Sequence, residues 1–235
     1  MTLKQASFVL IFVAFNASAG ISMTPANRIG KPKPPKELRS EDLLGLLPDA
    51  KLSPGAIDAK RGPKQICSGT TKSQRTTTDA TKKQVWQAYL DKYPEYAELV
   101  KADYEHGKTT KGGKHEPLFE VDHIVSLELG GADVPANLYP EPFQHEIAGA
   151  ADKDRVEHAA KPEMCAILKE QGLKAAQTYL KKIQATIRGG FTRSANGRLV
   201  APARTWYTLY YNDVLPHLDS DGNMKKGEHV VFAND

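Results

Sequence analysis

Cysteine is scarce in this chain. Its 235 residues include only two, Cys67 and Cys165. No CxxC spacing occurs, which argues against a cysteine-built zinc site. Long apolar runs are also missing. The one such stretch, Phe8 to Phe15 (FVLIFVAF), is too short to span a bilayer. No internal repeat is visible, so a solenoid or propeller is not expected. Excess charge is small: net charge is +4 and the sequence pI is about 8.9. That balance permits a polyanionic partner without demanding one. No base-reading motif stands out either, so a sequence-specific reader of nucleic acid is not expected. What remains is 40% hydrophobic and 26% charged residues, a globular composition with enough apolar mass for a core.

The start of the chain reads as a targeting segment over residues 1–19. Lys4 supplies a positive region, Phe8 to Phe15 the apolar region, and Ala17-Ser18-Ala19 a small-residue cleavage site before Gly20. Export to the periplasm or the extracellular space is therefore expected. In an oxidising compartment an even cysteine count favours one disulfide, Cys67–Cys165. Residues 20–39 are rich in Pro, Gly and Lys and read as a disordered leader. The main domain is expected over 40–190, followed by an aromatic extension over 191–235.

Within the main domain, Ser40 reads as the cap of a short helix carrying Leu43, Leu44, Leu46 and Leu47, closed by Pro48. Leu52 to Ile57 (LSPGAI) is a turn. From Thr78 the spacing of Val85, Trp86, Tyr89 and Leu90 predicts a helix, broken at Pro94 and continued by Tyr96, Leu99, Val100 and Tyr104. Residues 107–117 form a basic, glycine-rich loop. Residues 148–170 read as helix, divided at Pro162. A second helix runs from Leu173 to Ile187, with Ala176, Leu180, Ile183 and Ile187 on one side, and ends at Gly189-Gly190. In the extension, Arg204 to Leu215 is rich in Tyr, Trp and Thr and predicts a strand. Asn196-Gly197 predicts a hairpin turn, with Phe191 to Ser194 as the partner strand. Asp219, Asp221 and Asn223 lack the glycine position and closing Glu of a calcium loop, so they read as a surface turn.

Chemistry is concentrated in FEVDHIVSLELGGADVPANLYPEPF, residues 119–143. An apolar strand delivers Asp122 and His123. Hydrolysis of a phosphodiester needs a base to activate water and a cation to stabilise charge on the phosphate and the leaving oxygen. A carboxylate is a hard ligand suited to Mg²⁺. An imidazole works as a base near neutral pH. Neighbouring strand residues point to opposite faces, so the pair serves one site only if the strand ends there and the backbone turns. Gly130 and Gly131 supply that freedom. Asn137 is placed to bond across the loop and orient the His ring. Lys153-Asp154-x-x-Glu157 then lies on a helix.

This ordered set, with Arg75, the Ile66-Cys67 step and Met164-Cys165 around it, resembles an exported bacterial branch of the HNH, or His-Me finger, endonuclease superfamily. The resemblance covers roughly residues 52–187. It implies an α+β fold, mainly helical around a ββα-metal core, with the C-terminal β-hairpin outside it. It implies one divalent cation, Mg²⁺ ahead of Mn²⁺ or Zn²⁺, with Asp122 as ligand, His123 as general base and Asn137 as positioning residue. Low-specificity cleavage of DNA or RNA follows, with Lys153, Arg155, Lys111 and Lys114 as phosphate partners. One departure stands out. Where this branch carries a helix asparagine ligand, the chain has Gly149. His145, Asp154, Glu157 and His158 are the candidates to replace it. The alternative is a catalytically inactive module that binds nucleic acid or protein.

Overall fold

The structure, a computed structural model, describes residues 48–71, 74–94, 119–142, 149–189 and 205–232, together with Ala97 and the short strands at 37–38, 108–109, 115–116, 192–193 and 199–200. The fold is α+β and mostly helical. The expected targeting segment over 1–19, most of the expected leader over 20–39, the helix after Ser40 and the stripe from Tyr96 to Tyr104 lie outside the described residues, as do Lys111, Lys114 and His145.

Among the described residues the one five-residue strand pair is β4 (Phe119–His123) with β5 (Leu138–Pro142), antiparallel, Asp122 facing Tyr139 and His123 facing Leu138. Along β4, Phe119, Val121 and His123 are buried while Glu120 and Asp122 take the other side, the period of two that a pleated strand imposes. The strand ends at His123, as the Asp-His pair requires.

Helix α2 (Asp79–Lys92) covers this pair. Its N-cap is Thr78, whose hydroxyl accepts from the Thr81 N–H, satisfying a donor that the first turn leaves free. Val85 and Tyr89 are its buried face, and Trp86 meets Phe119 edge to face at 6.3 Å. On the other side lie α3 (Ala150–Glu170) and α4 (Leu173–Arg188), joined by Gln171 and Gly172 at φ +86°. Val156, Ala160 and Met164 of α3 and Ala176, Leu180 and Ile183 of α4 enter one core with Val125, Leu129 and Leu138.

Pro162 does not divide α3, which runs through it unbroken. An internal proline removes one N–H and costs about 3 kcal/mol. Here Pro162 lies on an exposed position, so water can serve the carbonyl left free. The turns on either side are held by buried Val156, Ala160 and Met164. Packing on both sides outweighs the local break.

The two cysteines form the expected disulfide, joining α1 (Pro63–Ser68) to α3 across a sequence separation of 98. In the chain-entropy account, a loop of that size closed in the unfolded state is worth roughly 4 to 5 kcal/mol. A Cys67→Ser, Cys165→Ser double variant is expected to lose most of that in chemical denaturation, with an unchanged far-ultraviolet spectrum under native conditions.

The C-terminal region departs from expectation. Residues 205–215 are not a strand: α5 (Trp206–Leu209) continues as a π turn (Tyr210–Val214) and a 3-10 turn (Leu215–His217). Tyr207, Tyr210 and Val214 recur at helical spacing and are all buried, and this part of the chain packs on α3. Thr205 and Thr208 cap its start reciprocally. Tyr, Trp and Thr favour strands only where a pleated, half-buried surface is on offer; α3 offers a helix face instead. A hairpin does form, but between β6 (Thr192–Arg193) and β7 (Leu199–Val200). β1 (Glu37–Leu38), at the end of the expected leader, adds to β7. Asp219 Oδ1 accepts from the N–H groups of Asp221 and Asn223, both at 2.9 Å, so that carboxylate closes a surface turn. Among the described residues no helix is long and apolar enough to cross a membrane.

Candidate active site

The loop between β4 and β5 is built on Asn137. Fully buried, its Oδ1 accepts from Val125 N–H at 3.1 Å, and its Nδ2 donates to the carbonyls of Val125 at 2.8 Å and Ala132 at 2.9 Å. Its own carbonyl accepts from Ile124 N–H at 2.8 Å. The loop closes so tightly that a Cβ on Gly131 would lie 1.8 Å from the Val125 oxygen, and Gly130 turns the chain at φ +81°. Both glycines are therefore steric requirements. Asn137 was expected to orient the His123 ring. It holds the loop backbone instead, because all its side-chain bonds go to main-chain groups.

The ring is oriented by Asp133. His123 Nε2 lies 2.8 Å from Asp133 Oδ1. Asp133 in turn accepts from the backbone N–H and the hydroxyl of both Thr76 and Thr77. Burial pushes its carboxyl up, but the Thr77 hydroxyl, the Thr76 N–H and His123 outweigh that and hold it below the usual carboxylate range. An ionised Asp133 accepts a hydrogen bond from Nε2–H and leaves Nδ1 of a neutral ring as the acceptor. Nδ1 faces Asp122, 3.9 Å from its Oδ1. Asp133 stands within the stretch GGADVPAN but carried no signal of its own. Thr76 and Thr77 lie more than fifty residues away in sequence, beyond any local pattern.

Asp122 has a second neighbour. Lys153 Nζ lies 2.7 Å from Asp122 Oδ2 and 2.7 Å from Glu141 Oε2, and donates to the carbonyl of His123. Lys153 was expected among the phosphate contacts. At 1% side-chain exposure it is an interior cation: the first turn of α3 aims it beneath β4 and β5. Burial opposes its charge, but Asp122 and Glu141 hold its pKa well above the usual value. Burial likewise pushes Asp122 up, and Lys153 more than reverses that.

The candidate helix ligands separate. Glu157 turns inward and accepts from Ser126 N–H at 3.1 Å. His158 is 68% exposed and stands 3.7 Å from Glu128. Gly149 caps α3, its N–H donating to Asp152 Oδ2 at 3.1 Å. Asp154 and Glu157 both respond to Asp122: burial first, then the Asp122 charge, pushes the Asp154 carboxyl up, with Lys153, His158 and Arg75 pulling it back in part, and burial pushes Glu157 well up, with Asp122 adding to it. Glu120 is pushed up to about 7 by burial and by Asp122 and Asp154. Arg155 bonds the Gly222 carbonyl at 3.1 Å and Asp152 at 3.1 Å, so it ties the C-terminal turn to α3.

Two mutually repelling carboxylates beside a histidine suit a hard divalent cation, which would relieve the repulsion. Asp122 and Asp154 fit that role. Among the described residues no three His, Cys, Asp or Glu side chains gather as a metal-binding group. Set against known proteins, the chain matches no family model, no curated protein and no solved structure, and its functional reading rests on this geometry and on the sequence pattern.

Proposed function

We propose that the chain is a metal-dependent endonuclease that hydrolyses DNA or RNA phosphodiesters with low sequence specificity, working outside the cytoplasm. The observation that carries this reading is the His123 ring: Nε2 is committed to Asp133 at 2.8 Å, and Nδ1 is left facing Asp122. In this reading β4, β5 and the start of α3 are a ββα-metal core. His123 Nδ1 takes a proton from a water lying between it and Asp122. The water oxygen forms a bond to phosphorus as the bond to the leaving oxygen breaks, and a second water protonates that oxygen. Asp133 keeps the ring in the working tautomer and stabilises the imidazolium as it forms. Bound at Asp122 and Asp154, a divalent ion supplies Lewis-acid stabilisation of the phosphate and the leaving oxygen.

The test is cleavage of supercoiled plasmid and of a homopolymeric RNA with Mg²⁺ or Mn²⁺, repeated in EDTA. His123→Ala is expected to lower the rate at least about 100-fold. Asp133→Ala should cost less and should alter the acidic limb of the pH–rate profile. Intact substrates across both metals would sink the reading. A second reading, an inactive module, draws on the Lys153 ammonium already seated on Asp122 and on the ligand-free Gly149. It predicts that wild type and His123→Ala behave alike in every cleavage assay.

A further inference from the structure

We propose that Arg75 is a substrate-phosphate ligand of this site, its guanidinium holding a phosphodiester of the nucleic acid against the His123–Asp122 face. The inference rests on the nuclease reading and gives the site a cation that Lys153 and Arg155 do not supply. Lys153 is buried on Asp122 and Glu141, and Arg155 is spent on the Gly222 carbonyl and Asp152. A polyanion approaching Asp122, Asp154 and Glu120 would otherwise meet negative charge.

Arg75 is placed there by its neighbours. Thr76 and Thr77 donate four hydrogen bonds, two from backbone and two from hydroxyls, to the single carboxylate of Asp133. The same carboxylate holds His123 at 2.8 Å. The backbone just after Arg75 is thereby tied, through Asp133, to the His123 ring. Arg75 is also among the charges that draw the Asp154 carboxyl down, after Lys153 and His158. Arg75 is exposed, and among the described residues it makes no ion pair within 4 Å. An arginine anchored through its backbone, with a free side chain, suits phosphate: the planar fork bonds two oxygens at once.

Binding separates this contact from catalysis. A fluorescein-labelled DNA duplex is titrated in EDTA, with anisotropy read at several salt concentrations. Arg75→Ala is expected to weaken binding roughly tenfold and to lower the slope of log affinity against log salt by about one. Arg75→Lys should recover part of the affinity. Lys169→Ala removes the same charge fifteen residues beyond Asp154 on α3, about 22 Å along its axis, and should change little. All variants should keep the wild-type melting temperature. The proposal is overturned if Arg75→Ala binds like wild type with the same salt slope, if Lys169→Ala weakens binding as much, or if wild type does not bind. Should Arg75→Ala lose affinity while wild type cuts nothing with Mg²⁺ or Mn²⁺, the phosphate contact stands and the hydrolytic reading falls. Should wild type cut and Arg75→Ala cut with unchanged KM, the reverse holds.

Discussion

Lys153→Met should destabilise the fold by about 3–5 kcal/mol, the typical cost of leaving a buried charge without its partner. Lys153 is the main group offsetting Glu141, which is fully buried and lies 2.7 Å from it, with Tyr139 helping, and it also bears on Asp122 and on buried Glu157. Methionine keeps the stem and its packing against the Tyr139 ring, over which the ammonium lies at 5.6 Å. The loss therefore measures charge rather than volume. Adding Glu141→Gln to Lys153→Met should recover part of the stability, because both partners of that pair are then neutral. A double-mutant cycle by urea denaturation checks this: strict additivity would mean that the two side chains are not coupled. The single variant should also be more stable at acidic pH than at neutral pH, where the stranded carboxylates are ionised.

Asn137→Ala should be nearly as severe. Three hydrogen bonds to the loop backbone vanish together, leaving Val125 N–H and the carbonyls of Val125 and Ala132 unpaired around a fully buried position. Each buried group left unpaired costs about 1–3 kcal/mol, so a loss of roughly 3 kcal/mol or more is expected. Asn137→Asp keeps the acceptor but turns two donated bonds into repulsion between a carboxylate and two carbonyl oxygens, and it should be no better. Hydrogen exchange locates the damage. Protection at Val125 and Gly131 should fall, while α4 keeps the protection set by the global stability of the variant. Unchanged protection at Val125 would show that Asn137 does not hold the loop.

Much of this frame was legible from local signals. The helix starting after Thr78 announced itself through a capping threonine and an apolar stripe. Gly189 and the helix before it were equally plain. The strand with Asp122 and His123, the paired glycines and Asn137 lie within twenty residues, so short-range pattern sufficed to single them out. The pairing of Cys67 with Cys165 followed from there being only two. What escaped depends on distance or on competition between elements. Asp133 gains meaning only when Thr76 and Thr77 fold onto it. Lys153 reads on paper as one more solvent-facing lysine; its burial depends on how α3 is aimed beneath β4 and β5. Residues 204–215 carry strand-forming side chains, yet Tyr207, Tyr210 and Val214 also fit a helix. The surface of α3 decided between the two periods, and single-chain propensity holds no information about that surface.

The bond between Cys67 and Cys165 encloses more than it joins. Arg75, Thr76, Thr77, Asp122, His123, Asp133, Asn137, Lys153 and Asp154 all fall between the two cysteines. They belong to one covalent ring. A protease that cuts once inside this ring, for instance in the lysine- and glycine-rich stretch over 107–117, opens it without releasing a fragment, since both new ends stay on the same molecule. Trimming outside the ring removes none of these residues. Nicked and intact chains would separate on a gel only after reduction, and every residue assigned to the site would survive the first cut in a single covalent species.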